Sequence, residues 1–240
     1  MITSPSNPRL RLVRRLASRR QRDRLGLFVC EGEDLVEAAL AAGLDPAELL
    51  VDAERPVDGL PAGEAVEPRL LADVSALGHP PRVIGVFRRD DLPALDASAP
   101  PPVGLALWHV ADPGNVGTLL RAADGLGPAH LALSSGCADP TGPKALRASA
   151  GAIFRVPTAR FDKAPGRKIA LVAHGGAPLP ELDLAPGTTF VLGAEREGLP
   201  DEILADCDER ATIPLTPGAE SLNVGVAGAV ALYEWRRRGR

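Results

Sequence analysis

After the run Pro100-Pro101-Pro102, short apolar stretches alternate with helix-like stretches to the C-terminus. No other feature of the chain constrains the fold as strongly. The apolar stretches lie at 103–110, 130–133, 169–173, 190–192 and 211–215, and helical patterns occupy 116–125, 144–151, 200–206 and 222–237. Strands and helices that alternate in this way bury their apolar surface in a mostly parallel sheet with helices on both faces, so an α/β fold is expected. Ligand sites in such sheets lie beyond the carboxyl ends of the strands. Polar and glycine-rich residues gather at those ends: Ala111-Asp112-Pro113-Gly114-Asn115, His174-Gly175-Gly176, Gly193-Ala194-Glu195 and the loop before Ser221.

The front of the chain differs. Residues 7–24 read as one amphipathic helix, with Leu10, Val13, Leu16 and Ala17 on one face and arginines on the other. Short strands follow at 27–30, 49–51 and 83–87, with a helix at 32–42 that Gly43 ends. The stretch 91–102 is rich in Pro, Ala and Ser and reads as a linker. The expected division is a small α/β unit over 1–92, a linker over 93–102 and a larger unit over 103–240, with no internal repeat.

Charge is unevenly spread. Residues 1–24 hold eight arginines against one aspartate, and the tail from Arg236 to Arg240 adds four more. With a net charge of −4, the intervening chain carries about −15. Arginine presents a planar fork that suits phosphate oxygens. The basic ends are thus either a solvated face or a nucleic-acid contact surface, and composition alone leaves both open. Three widely spaced cysteines, Cys30, Cys137 and Cys207, fit neither a disulfide frame nor a zinc site, which suits a reducing cytoplasm. No apolar run approaches the ~20 residues of a membrane span, and the arginine-rich start is not a secretory signal.

The last helical segment is unusual. Ser221 suits an N-cap, and 222–235 is apolar almost all the way round, as in a buried helix. Yet Asn223 lies in its first turn, and Gly225 and Gly228 each cost about 1 kcal/mol against alanine. Such a helix implies close packing or a ligand. Familiar cofactor motifs do not explain it. Gly125-Leu126-Gly127 lacks a third glycine and precedes a strand, no Gly-Lys-Ser/Thr occurs, and His174-Gly175-Gly176 has no Gly-x-Ser-x-Gly to serve. His79, His109, His130 and His174 lack metal-ligand spacing, so no metal is expected.

Three segments remain, each at a strand-to-helix junction. One runs Asp112-Pro113-Gly114-Asn115 to Arg121, with Asn115 as a candidate helix cap. The second is Gly193-Ala194-Glu195-Arg196-Glu197-Gly198, and the third joins Ile213-Pro214 to Ser221-Leu222-Asn223. In order and spacing they resemble the three motifs of the SpoU (TrmH-type) ribose 2'-O-methyltransferases. Asp139-Pro140 with Lys144, Arg147, Ala148, Ser149 and Gly151 is similar to the block between the motifs. Ile2-Thr3-Ser4, Asn7-Pro8-Arg9 and Phe28-Val29-Cys30-Glu31-Gly32 resemble the RNA-binding extension of rRNA-directed members. The resemblance covers nearly the whole chain. One departure is Gly225, where many members have serine.

The resemblance implies a trefoil-knotted C-terminal unit that binds S-adenosylmethionine and acts as a homodimer through its last helix. By motif position Gly193, Ile213, Leu215 and Leu222 would hold the cofactor, with Ala173 lining the pocket. Arg121 would activate the ribose hydroxyl, and Asn115 would orient Arg121 or the ribose. Glu195 would hold the knot loop and neighbouring polar groups, and Ser221 and Asn223 would position the substrate phosphate or ribose and cap the last helix. A guanidinium is normally locked as the cation, so phosphate-assisted activation is preferred here over a plain base. Candidate RNA contacts are Arg9, Arg11, Arg14, Arg15, Arg19 and Arg20, with Lys144 and Arg147 nearer the site. Aromatic residues make up only 3% of the chain, so recognition by shape and phosphate is expected over base stacking. Ribosomal RNA is favoured over tRNA. A catalytically silent RNA-binding scaffold is the rival from another class.

Overall fold

Asn7 opens the first helix, α1 (Pro8–Leu16): its side chain accepts the Arg9 amide at 2.9 Å, and Pro8 takes the first helical position. The computed structural model describes every residue except Gly78 and Arg240, the latter one of the basic tail residues counted above. The single helix expected over 7–24 is in fact two. Ser18 is extended (φ −85°, ψ 128°), and α2 (Arg19–Leu25) begins after it. Helix ends leave carbonyls without intrahelical donors. Here buried Arg22 donates to the carbonyls of Leu16 and Ala17 at 2.8 and 2.9 Å. The break is thus held by a side chain that hydropathy patterning does not detect. Gly26, at φ +63°, ends α2 in the left-handed conformation.

The chain continues through β1 (Leu27–Glu31), α3 (Glu33–Ala41), β2 (Glu48–Asp52), β3 (Glu64–Val66), α4 (Pro68–Val74) and β4 (Val83–Arg88). These strands form a four-stranded sheet in the order β1-β4-β2-β3. Strand β4 is antiparallel to both neighbours, whereas β2 and β3 are parallel. The Pro/Ala-rich stretch that follows does not hang free. Leu95 donates to the Thr158 carbonyl and Thr158 to the Pro93 carbonyl, both at 3.0 Å.

The remaining elements are β5 (Val103–Leu107), α5 (Pro113–Leu126), β6 (Ala129–Leu133), α6 (Pro143–Ser149), β7 (Thr158–Arg160), β8 (Arg167–Leu171), β9 (Ala177–Pro178), β10 (Thr188–Leu192), α7 (Asp201–Ala205), β11 (Glu209–Thr212) and α8 (Val224–Arg238). Their seven strands pair only in parallel, in the order β7-β6-β5-β10-β8-β11-β9. This is the mostly parallel α/β sheet that the alternation requires. Strand β5 ends at Leu107, short of the expected residue 110, and His109 at φ +53° turns the chain soon after.

Two glycines let the helices meet. A Cβ on Gly117 of α5 would lie 2.5 Å from the Ala145 carbonyl of α6, and one on Gly228 of α8 would lie 2.3 Å from Leu119 of α5. Gly228 is therefore a contact point, which explains its presence in an apolar helix. Helix α8 is not buried all round, contrary to expectation: Val226 and Tyr233 are 48% and 59% exposed.

The largest core cluster does not stop between the two sheets. Phe28 of β1 packs at 6.0 Å on Phe87 of β4 and at 6.3 Å on Phe154, which lies between β6 and β7. Truncating one such ring to alanine costs about 3–5 kcal/mol. An ionic contact adds to the join, since buried Arg22 meets buried Asp139 at 2.7 Å.

Candidate functional site

Strands β5 and β10 are neighbours in register, with Leu107 opposite Leu192, so the segments that follow them emerge side by side. The Trp108 amide donates to the Leu192 carbonyl at 2.8 Å and ties their exits together. The N-cap of α5 is Asp112, whose Oδ1 accepts the Asn115 amide at 3.0 Å. Asn115 is therefore not the cap, as the sequence suggested. Its side chain is released for another use. Nδ2 of Asn115 donates to Glu195 Oε1 at 2.9 Å, and its Oδ1 accepts from Asn223 Nδ2 at 3.1 Å. Three segments far apart in sequence meet in this chain of two bonds.

The third segment also corrects an expectation. Helix α8 begins at Val224, and its cap is Asn223, whose Oδ1 accepts the amides of Gly225 and Val226 at 2.9 and 3.3 Å. Ser221 is exposed and lies two residues before the cap. Asn223 thus uses its oxygen to start the helix and its amide to grip Asn115. Gly225 leaves that oxygen room, for a Cβ there would stand 3.1 Å from it and 3.2 Å from Thr118.

Burial pushes the Glu195 carboxyl up, but the Asn115 amide and the backbone amides of Glu195, Asp112 and Ala111 outweigh it and hold the group below the ordinary range. The Asp112 carboxyl is also held low, first by Lys144 at 3.0 Å and then by the Asn115 amide. Both carboxylates are therefore ionised at neutral pH, and Glu195 lines a cleft.

That cleft, about 490 Å³, opens beyond the carboxyl ends of β8, β10 and β11. Its walls include Ala173, Gly193, Ile213, Leu215 and Leu222, the residues expected to hold a cofactor, together with Glu195, Ser221 and Asn223. Its volume suits a small molecule. Leu192, Ile213 and Leu215 give it apolar lining, and two carboxylates, Glu195 and Glu220, with one guanidinium, Arg196, give it charge. A ligand with a flat apolar part and charges of both signs fits this set.

The description of the SpoU rRNA methylase family matches residues 102–233, and that of an MRM3-like substrate-binding domain matches residues 7–85. The chain is 30% identical to the Bacillus subtilis 23S rRNA (guanosine(2553)-2'-O)-methyltransferase RlmP, over 98% of each chain. It superposes on an AdoMet-bound rRNA methyltransferase from Sinorhizobium meliloti with a TM-score of 0.86 and 27% identity, covering 99% of this chain and 97% of the other. It superposes equally, at 0.86 and 27% identity, on the SpoU methyltransferase AviRb of Streptomyces viridochromogenes in complex with AdoMet, covering 97% and 98%. The chain belongs to the SpoU rRNA methylase family.

In this SpoU chain Arg121 stands apart from the Asn115–Glu195–Asn223 bonds and does not line the cleft. It lies about 9 Å along α5 from Asn115 at the usual helical rise. Gly117 faces α6 and Thr118 faces Gly225 of α8. Arg121, one turn beyond both, emerges at the exposed seam between those helices. Among the described residues it has no hydrogen-bond or ion-pair partner, so its guanidinium is available to a ligand.

The basic residues divide. Arg9 is paired with Glu48 at 2.7 Å and Glu64 at 3.2 Å. Arg14 donates to the Pro5 carbonyl at 2.8 Å, Arg15 to Gln21 at 3.3 Å and Arg19 to the Cys137 carbonyl at 2.9 Å. Arg11 and Arg20 are exposed with no partner among the described residues, as is Arg147 on α6, whereas Lys144 is held by Asp112. His130 is structural: burial lowers it to about 4, beside Thr189 Oγ1 at 3.2 Å. Sequence reasoning missed Asp112 as the cap and Lys144's partner, although Asp-Pro before a helix is a usable capping signal.

Proposed function

We propose that this SpoU-family chain transfers a methyl group from S-adenosylmethionine to a ribose 2'-hydroxyl of RNA, with ribosomal RNA favoured over tRNA. The observation that carries the reading is the joining of three motif segments by Asn115, Glu195 and Asn223 beside a cleft of mixed apolar and charged lining. The named activity of RlmP and the AdoMet held by AviRb support it. So does the domain at residues 7–85, which matches a substrate-binding description.

The cofactor, when bound, supplies an electrophilic methyl on a sulfonium. The chain's own residues do the rest. Leu192, Ile213, Leu215 and Leu222 wall the cleft, Ala173 and Gly193 line it, and Glu195 and Glu220 answer positive charge. Arg121 binds the phosphate next to the target ribose and polarises the 2'-hydroxyl, the proton leaving by a route other than the guanidinium. This route needs no neutral guanidinium, which arginine does not supply. Asn115 and Asn223 fix the start of α5 and α8 and so the angle at which Arg121 meets the RNA; Ser221, on the cleft wall, meets the substrate. Arg11, Arg20 and Arg147 contact RNA phosphates, with Arg9, Arg14, Arg15, Arg19 and Lys144 behind them.

Residues 1–92 form the RNA-binding unit, 93–102 the join and 103–240 the transferase unit, which we read as knotted. A second copy covers α8, where Val226 and Tyr233, two turns apart, are exposed on the helix; sedimentation equilibrium should give a dimer. Three free cysteines, two of them buried, suit a cytoplasmic setting.

Arg121→Ala should retain S-adenosylmethionine binding in calorimetry and lose tritiated methyl transfer to rRNA by about 10²–10³-fold, the cost of removing one transition-state donor. Transfer at the parental rate would remove Arg121 from the mechanism. Absent cofactor affinity in the parent protein would favour the silent RNA-binding scaffold, and methyl in tRNA alone would favour the tRNA reading.

A further inference from the structure

A second cleft, about 670 Å³, opens beyond the carboxyl ends of β5, β6 and β7, between Arg19 of α2 and Arg160. Two of its walls are the half-buried rings of Trp108 and Phe161, 5.1 Å apart and at 64° to each other. The corner is built at some cost. Successive residues of a strand point to opposite faces, so Trp108 and His109 should diverge. Instead His109 takes φ +53°, a conformation rare for a residue with a side chain. Its ring comes to lie 4.6 Å from the indole and within 6° of parallel. The amide of His109 is held by Ser134 Oγ at 2.9 Å, and its ring covers Gly136, where a Cβ would stand 2.4 Å from it. The backbone turn therefore stacks one side of the indole and braces it, while Phe161 meets it edge-on. Such a braced indole lines a cleft that no side chain among the described residues fills.

The surroundings suit a nucleotide. Arg19 and Arg160 stand at the cleft with half or more of their side chains exposed, at 51% and 82%. Arg19 is positioned by the Cys137 carbonyl at 2.9 Å, and Arg160 lies against Asp162 at 3.0 Å. Aromatic faces flanked by cations are the usual means of holding single-stranded nucleic acid, with a base on the ring and its phosphate on the guanidinium. Position agrees too. Trp108 is fastened through its amide to Leu192, next to Gly193 of the cofactor cleft, and Asp112 and Asn115 follow it directly in sequence. An RNA strand reaching the ribose site would pass this corner.

We infer that the Trp108–Phe161 corner is a stacking site for one unpaired base of the RNA substrate, flanking the methylated nucleotide, with Arg19 and Arg160 on its phosphates. The inference rests on the reading of the chain as an RNA methyltransferase. It amends the expectation from composition that stacking plays little part: the aromatics are few, but one of only two tryptophans stands at a cleft beside the site.

The test uses the full-length protein. Trp235→Phe leaves Trp108 as the only indole. Titrating that variant with a ten-nucleotide unstructured RNA should quench its fluorescence, and a duplex of the same length should not. Trp108→Ala should weaken binding of the single strand by roughly ten- to a hundredfold, the range for one stacked base, and leave the affinity for S-adenosylmethionine unchanged. Trp108→Phe should restore most of the loss. Single strand bound without quenching, or bound by Trp108→Ala at parental strength, would overturn the stacking site alone. A parent protein that binds cofactor but no RNA overturns it as well. One that binds neither removes the methyltransferase reading along with it.

Discussion

Two polar networks hold this molecule together, and they are built on opposite plans. One joins the two sheets: Asp139 receives Arg22 at 2.7 Å, Arg89 at 2.7 Å and the Thr141 hydroxyl at 2.7 Å, with Arg22 and Asp139 only 4% and 8% exposed. The other joins the three motif loops through Asn115, Glu195 and Asn223, and Glu195 and Asn223 are exposed. The first is charged and buried, and none of its residues lines the cofactor cleft. The second consists of two amides and one carboxylate in contact with solvent. A buried charge that loses its partner is left without water, so the first network binds the fold tightly whatever its net worth. The second has little energy of its own and relies on the packing of α5 and α8 beneath it. The fold's strength and the site's precision therefore reside in different residues, and mutation should separate them.

The largest effect on stability should come from Asp139→Ala. Leaving Arg22 buried and unpaired costs about 3–5 kcal/mol, which lowers Tm by roughly 6–20 °C for a chain of this size. Calorimetry reads this directly, and cofactor affinity measured well below the new Tm should stay unchanged. A Tm within a degree of the parent's would show that the join is not held there. Asn115→Ala should behave in the reverse way. A loop misplaced by an ångström costs about 10²-fold in rate, whereas two exposed hydrogen bonds contribute only about 1 kcal/mol each. Methyl transfer should collapse while thermal melting shifts little, and equal losses in both would merge the two networks into one.

The smallest effect concerns acid. Burial alone would raise the Asp139 carboxyl, but Thr141, Arg89 and Arg22 together hold it below the ordinary range. The native state then binds fewer protons than the unfolded chain between the depressed value and the ordinary one near 4. Its contribution is fully present above that ordinary value and is lost as pH falls through the depressed one. Urea unfolding between pH 7 and 3 should therefore show a steeper acid loss for the parent than for Asp139→Asn. Identical slopes would mean that Asp139 titrates alike folded and unfolded.

The sheet of the second unit was legible because parallel strands buried on both faces read as plain apolar runs, as at 190–192. Strands β7 and β9 escaped notice because three and two residues carry no periodicity. Arg22 was invisible for another reason: its partners are carbonyls six and five residues back and an aspartate 117 residues on. The residues meeting at the loops could be named from their motifs, but their division of labour could not. Which of Asp112 and Asn115 caps α5, and which of Ser221 and Asn223 caps α8, depends on where the helix starts. A residue's type does not carry that information at a precision of two positions. The Trp108–His109 stack is beyond pattern altogether, since it arises from one backbone angle.

The shared phenylalanine packing of Phe28, Phe87 and Phe154 has a consequence for choosing a target. With one continuous core joining both sheets, the arginines of α1 and α2 and the ends of β5 and β10 belong to one packed body. If those arginines grip RNA as proposed, the molecule works as a caliper, and the far jaw receives only the nucleotide that lies at the set distance.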